Sequence, residues 1–153
     1  ETRDYAAYVR GLLEELRPEL ELKSVRLELA GDPPAVAVRL DPRRLQRVFA
    51  NLLHNAADAM PEGGRVTFRF RRQSGQVVTE IEDTGPGVSP EIADRLFEPF
   101  ATHGKAHGTG LGLSICRKII EDHGGRIWLR QSPGRGAAFI FTLPEAGPAT
   151  PGA

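Results

Sequence analysis

Three segments of the chain carry apolar residues at the three- and four-residue spacing of an amphipathic helix. The predicted helices cover about residues 4–22, 41–60 and 111–122. Pro18 lies inside the first segment, and we expect it to end or kink the helix there. The second segment has clear boundary signals, because Asp41 is a typical N-cap and the proline that follows it is well tolerated at the first helical position.

Alternating apolar and polar residues predict strands between these helices. The predicted strands are residues 24–30, 35–40, 65–71, 77–83, 126–130 and 137–143. The third and fourth of them are joined by Gln73-Ser74-Gly75-Gln76, which indicates a hairpin. A short helix is predicted at about 90–96, and the glycine-rich residues 98–110 are expected to form a mobile loop.

The order of these elements is typical of an α+β domain. We expect a two-layer α/β sandwich, in which three main helices cover one face of a mixed five-stranded sheet. The length of 153 residues suits one domain. We assign residues 1–144 to it and expect residues 145–153, rich in Pro, Gly and Ala, to be a disordered tail or linker.

Composition narrows the range of functions. The chain has 20 basic and 20 acidic residues, and this balance argues against binding to nucleic acid or to an anionic membrane by bulk charge. No run approaches the roughly 20 apolar residues of a membrane helix, and the charged first residues do not resemble a signal peptide. The single cysteine, Cys116, excludes an internal disulfide and favours a cytoplasmic location.

The predicted helix 41–60 carries a polar stripe. Asn51, Asn55 and Asp58 stand at positions i, i+4 and i+7, so they share one face. This stripe fits either a solvated helix surface or a site for magnesium, because an asparagine carbonyl is a hard oxygen ligand suited to that ion.

Asp83 is the last residue of the predicted strand 77–83, and two aliphatic residues lie on the same face of that strand. A carboxylate on an apolar face needs a hydrogen-bond donor, which can come from its own turn or from a ligand amino group such as that of adenine. Gly85 and Gly87 follow it and favour the ligand, since glycine lets the backbone approach a flat molecule closely.

A third candidate is the glycine-rich run 108–113, which leads into the last predicted helix. Backbone N–H groups at such a helix start bind phosphate, although the run also fits a flexible loop. It lacks the ending of a Walker loop and is preceded by a loop and not by a strand, which excludes the dinucleotide fingerprint. Lys105, nearby, could reach a terminal phosphate as a point charge.

Taken together, four segments resemble the N, G1, F and G2 boxes of the catalytic domain of sensor histidine kinases, which shares the GHKL ATP-binding fold with gyrase, heat-shock chaperone and mismatch-repair ATPases. They are Asn51-Leu52-Leu53-His54-Asn55-Ala56, Asp83-Thr84-Gly85-Pro86-Gly87, Phe97-Glu98-Pro99-Phe100 and Gly108-Thr109-Gly110-Leu111-Gly112-Leu113. The resemblance covers about residues 4–143, and the run that begins at Asn55 looks most like the nitrogen-regulation type of sensor kinase.

The resemblance implies a role for each matched residue. Asn55 is expected to ligate Mg²⁺, and Asp83 to accept a hydrogen bond from adenine in a base pocket lined by Gly85 and Gly87. Residues 98–110 correspond to a short ATP lid. The other ATP-binding residues implied are Asn51, Asp58, Val88, Phe100, Lys105, Gly108, Thr109, Gly110, Leu111, Gly112 and Leu113.

One position separates the kinases of this fold from its ATPases. The ATPase relatives place a water-activating glutamate where this chain has Asn51, which cannot act as a base. Two departures from the family pattern concern the nucleotide contacts. Asp58 stands where many relatives have a basic residue, and alanines 137 and 138 stand where relatives often have Ser or Thr.

A kinase of this kind phosphorylates a histidine on a dimerising helical hairpin, usually one followed by Glu or Asp. None of the four histidines here is followed by an acidic residue. We therefore expect the ATP-binding half of a histidine kinase, monomeric by itself, that acts on a separate phosphoacceptor domain and, through it, on a response regulator. The full-length protein could be membrane-anchored, but we expect no direct membrane contact here.

Two alternatives stay open at this stage. One is a serine kinase of the anti-sigma-factor type, which has the same fold and needs no hairpin, although the first predicted helix looks like the one that follows a hairpin domain. The other is a non-catalytic nucleotide-binding docking module, against which the intact sequence boxes argue.

Overall fold

The computed structural model describes residues 1–89, 93, 95–98, 112–131 and 136–146. Within these ranges it contains three helices and seven strands. The helices are α1 (Tyr5–Leu22), α2 (Pro42–Ala59) and α3 (Gly112–Asp122). The strands are β1 (Thr2–Asp4), β2 (Val25–Leu29), β3 (Ala37–Arg39), β4 (Gly64–Gln73), β5 (Gln76–Asp83), β6 (Ile127–Gln131) and β7 (Ala137–Pro144).

Five of the strands form a mixed sheet in the order β2-β4-β5-β7-β6. The β2–β4 pair is parallel and the other pairs are antiparallel, as the sequence-based architecture requires. The predicted hairpin is confirmed, since Gln73 pairs with Gln76 across its turn. Strands β1 and β3 form a separate two-stranded sheet.

The core lies between the helices and one face of the five-stranded sheet. Phe49 of α2 is fully buried, stacks on Phe68 of β4 at 6.2 Å between ring centres and meets Phe141 of β7 edge-on at 5.5 Å. The amphipathic pattern of α2 therefore identified the side that faces the sheet. Its start is also confirmed, because the Asp41 carboxylate accepts hydrogen bonds from the backbone N–H groups of Arg43 and Arg44.

The structure decides one of the two outcomes expected at Pro18, and it adds one strand that was not predicted. Pro18 does not end the first helix, which continues to Leu22. A proline inside a helix costs about 3 kcal/mol, but the buried side chains of Leu13 and Leu20 hold α1 to the core on both sides of it. Strand β1 was not predicted, because its three residues are all exposed and show no alternation.

The ordered chain also continues past the predicted boundary at residue 144. Glu145 forms an isolated bridge with Val38, and its carboxylate pairs with Arg72 at 2.8 Å. The backbone N–H of Ala146 donates to the carbonyl of Ala37 at 2.8 Å. Glu145 and Ala146 are thus part of the folded structure and not of a disordered tail.

Several sequence-based predictions fall outside the described residues. They are most of the short helix at 90–96, the loop at 98–110 beyond Glu98 and the tail from 147 to 153. No helix in the described part of the chain is both long enough and apolar enough to cross a bilayer.

Candidate functional site

A pocket opens beside the ends of β5 and β7, between the sheet and helices α2 and α3. It encloses about 590 Å³ of empty space, a figure that includes the open mouth. Its walls are mostly apolar, with a few polar side chains among them. The lining residues are Asn55, Ala59, Asp83, Gly87, Val88, Ser89, Leu96, Leu113, Ala137 and Phe139.

Asp83 supplies the carboxylate of this pocket. It is the last residue of β5, it is only 6% exposed, and its Oδ1 accepts hydrogen bonds from the backbone N–H groups of Gly85 at 2.9 Å and Ala137 at 3.2 Å. Burial raises the pKa of this carboxyl group, and the two hydrogen bonds only partly oppose that effect. Because both hydrogen bonds end on Oδ1, the other oxygen is the one available to a ligand donor.

The two interpretations of Asp83 are therefore compatible. One oxygen caps the turn that follows the strand, as a strand-end aspartate commonly does, and the residue still lines the pocket. The backbone around it is tightly packed, because a Cβ atom on Gly136 would lie 2.1 Å from the carbonyl oxygen of Asp83. Gly87 has a φ of +87°, a conformation that side-chain-bearing residues rarely adopt.

The structure separates the three members of the polar stripe on α2. Asn55 is half-buried and lines the pocket, whereas Asp58 is exposed and does not. The Asn51 amide hydrogen-bonds to the carbonyl of Gly112 at 3.4 Å and to the thiol of Cys116, so it contacts the first turns of α3. The solvated-face interpretation thus holds for Asp58 alone.

Cys116 itself is buried against α2. Burial raises the pKa of its thiol to about 11, so the thiol is protonated at neutral pH and unsuited to a nucleophilic role.

The glycine-rich run is described only at its end. Gly112 is the first residue of α3 and Leu113 lines the pocket, so the start of this helix is placed beside the cavity. The other residues predicted to bind ATP from this region lie outside the described residues: Phe100, Lys105, Gly108, Thr109, Gly110 and Leu111. Gly85 is described and donates to Asp83, but it is not in the pocket wall.

Five lining residues were missed by the sequence analysis: Ala59, Ser89, Leu96, Ala137 and Phe139. A signal existed for the last two. The alternation of strand 137–143 places them on the core face, and Phe139 is paired in register with Ile81, which shares a face with Asp83. What the pattern did not supply was the order of strands that brings β7 next to β5.

The residues present suit a magnesium ion held mainly by a ligand. In the described part of the chain, no group of three or more His, Cys, Asp or Glu residues could bind a metal by itself. Magnesium bound to phosphates takes most of its oxygens from phosphate and water and needs only one or two from protein. The Asn55 side chain, on the pocket wall, carries an oxygen of the right kind.

Comparison with known proteins agrees with this geometry. Residues 40–147 match the family model described as histidine kinase-, DNA gyrase B- and HSP90-like ATPase. The alginate biosynthesis sensor protein KinB of Pseudomonas aeruginosa is 43% identical over 122 residues, which are 79% of this chain and 20% of KinB. The chain therefore spans about a fifth of the length of that relative.

Solved structures give the same result. The nucleotide-free catalytic domain of histidine kinase ThkA has a TM-score of 0.79 and 30% identity, and the match covers 95% of each chain. ThkA in complex with the response regulator protein TrrA has a TM-score of 0.78 and 28% identity over 95% of this chain and 42% of that one. This chain belongs to the family of histidine kinase-, DNA gyrase B- and HSP90-like ATPases, as an ATP-binding domain with the fold of histidine-kinase catalytic domains.

Proposed function

We propose that this domain binds Mg-ATP and presents it for transfer of the γ-phosphoryl group to a histidine on a separate dimerisation and phosphoacceptor domain. The observation that carries the proposal is the buried carboxylate of Asp83 in a mostly apolar pocket that Asn55 also lines. An adenine ring fits such a pocket, because its faces are apolar and its amino group can donate to the second oxygen of Asp83.

The remaining assignments concern the phosphates and the magnesium ion. The first residues of α3 lie beside it, and the N-terminus of this helix would favour the negative charge of the phosphates. Asn55 would hold Mg²⁺, which when bound to ATP neutralises part of the phosphate charge. The nitrogen-regulation subclass, suggested by the sequence around Asn55, stays a prediction.

Position 51 supports transfer to a protein over hydrolysis. The Asn51 side chain is an amide and is engaged by Gly112 and Cys116, so this position offers no carboxylate to activate water. The acceptor is expected to lie elsewhere, because the two described histidines have structural contacts. His54 interacts with Glu19 on α1, and His123 bridges the end of α3 to the start of α2.

The partners follow from this role. The domain would act on a dimerising hairpin domain and, through its phosphohistidine, on a response regulator; ThkA was crystallised with such a regulator. We place the reaction in the cytoplasm, where ATP is available, and propose that the isolated domain is a monomer without nucleic-acid or membrane contacts. Residues 1–144 would be the catalytic unit, extended by the two further folded residues.

Titration calorimetry with ATP, in the presence and absence of Mg²⁺, tests the proposed binding. We expect binding that is strengthened by magnesium, and no binding in either buffer would contradict the proposal. Labelled ATP should leave the isolated domain unlabelled and should produce acid-labile phosphate on an added hairpin domain. Acid-stable phosphate on a serine of a partner protein would instead indicate the anti-sigma type of kinase, and tight binding with no transfer to any acceptor would indicate a docking module.

A further inference from the structure

Gln131, the last residue of β6, makes a two-point contact with the backbone of the pocket wall. Its side-chain Oε1 accepts a hydrogen bond from the N–H of Val88 at 2.8 Å, and its Nε2 donates to the carbonyl of the same residue at 2.9 Å. The amide group thus pairs with both polar backbone groups of Val88, as a neighbouring strand would. The two residues are 43 positions apart in the chain.

The same end of the sheet also fixes the start of this segment. Gln131 is paired in register with Ala137, and the N–H of Ala137 donates to Oδ1 of Asp83. One cross-strand pair therefore contacts both ends of the segment from Asp83 to Val88. Within that segment, Gly87 has a positive φ and contributes no side chain that could hold the backbone.

We propose that Gln131 is a positioning residue for nucleotide binding, which fixes the backbone at Val88 and so holds the pocket wall formed by Gly87, Val88 and Ser89 in its binding shape. This inference rests on the proposed ATP-binding function. Gln131 does not line the pocket, so its effect passes through Val88. A wall that is already ordered before binding loses less conformational entropy when the ligand arrives.

Gln131→Ala removes both hydrogen bonds and adds no charge. We expect the Kd for Mg-ATP to rise by about five- to tenfold, the effect of one or two modest hydrogen bonds. In the nucleotide-free protein, hydrogen exchange at the Val88 amide should become faster. The matched control is Gln73→Ala, an exposed glutamine at the hairpin turn of β4 and β5, which should change neither quantity.

Gln131→Glu separates positioning from a general loss of stability. When ionised, its carboxylate can accept from the N–H of Val88 but turns a second acceptor toward the carbonyl; when protonated, it has the same donor and acceptor as glutamine. Because the second oxygen repels the Val88 carbonyl, protection of the Val88 amide should be reduced at neutral pH, and it should recover as the pH falls toward the pKa of the introduced carboxyl group. The alanine variant should show no such recovery, and measuring exchange without nucleotide removes any charge effect on ATP.

The outcomes are distinct. Wild-type affinity in the alanine variant, unchanged exchange at Val88, or a glutamate variant without recovery at lower pH would each overturn the role of Gln131. A wild-type domain that fails to bind ATP would refute the proposed function. Hydrogen exchange at the Val88 amide would still test the Gln131 contact, because it is measured without nucleotide. If the alanine variant does not fold, the pH series on the glutamate variant decides.

Discussion

At the scale of single residues, the buried carboxylate of Asp83 lowers the stability of the fold but serves the proposed binding of ATP. Asp83 is a buried carboxylate whose pKa is raised above its ordinary value, chiefly because burial disfavours the charged form. Its ionisation therefore destabilises the fold at neutral pH, and that cost disappears in acid. A residue retained against such a cost is a reasonable marker of a binding site.

Asp83→Asn should have opposite effects on stability and on binding. The asparagine oxygen can still accept from Gly85 and Ala137, while its NH₂ group replaces the acceptor that would face the adenine amino group. We expect ATP affinity to fall by about 2–4 kcal/mol, measured by calorimetry. The melting temperature without nucleotide should stay equal or rise, and unaltered ATP binding would contradict the adenine assignment.

The pH dependence of that variant has a definite sign. Because the folded pKa of Asp83 is raised, the wild type should lose stability as the pH rises from the ordinary aspartate pKa of 3.8 through the folded pKa. The variant has no such titration, so its advantage in melting temperature should grow across this window and then level off. Thermal unfolding at a series of pH values from about 4 to about 8 measures it; an advantage that shrinks with rising pH would contradict the assignment.

Asn55→Ala should weaken the magnesium complex more than free nucleotide. The reason is that the removed carbonyl oxygen is proposed to contact the ion and not the base. Calorimetry with ATP in Mg²⁺ and in a chelator gives the two affinities. Asp58→Ala is the matched control, because Asp58 belongs to the same polar stripe but lies outside the pocket wall. Equal losses in both buffers for the Asn55 variant would refute its role as a ligand.

At the scale of elements, patterns that depend on near neighbours in the chain were predictable. The apolar face of α2, its Asp41 cap and the β4–β5 hairpin follow from spacing and turn residues, and the structure confirms them. Contacts between distant segments were not, because no local pattern encodes them. The pairing of Gln131 with Val88 depends on how the end of β6 meets the segment that follows β5.

Two glycines, one just before β7 and one within α1, allow a prediction that carries its own control. Gly136→Ala would place a methyl group 2.1 Å from the Asp83 carbonyl oxygen, so the backbone must shift and the melting temperature should drop. Gly11→Ala, in the open interior of α1, meets nothing within 4 Å and should stabilise the fold by about 0.5–1 kcal/mol. Thermal unfolding measures both; equal effects of the two changes would contradict the packing at Asp83.

At the scale of the whole molecule, the short strand β3 is bordered by the first and the last residues that the structure describes. The N–H of Leu40 donates to the carbonyl of Glu1, and β1 pairs along one side of β3. Glu145 and Ala146 contact the other side at Val38 and Ala37. The three segments thus behave as a small three-stranded unit, although the third contributes only two residues.

This arrangement makes the domain suitable for circular permutation. From strand spacing and rise, Glu1 and Ala146 should lie roughly 14 Å apart, a gap that a linker of about six residues can span. New termini can be opened between Gly31 and Asp32, where both residues are exposed. The permuted chain, in which α1 lies near the C-terminal end, should melt cooperatively and bind ATP as the original does. Formation of the pocket would then not depend on the order of the elements along the chain.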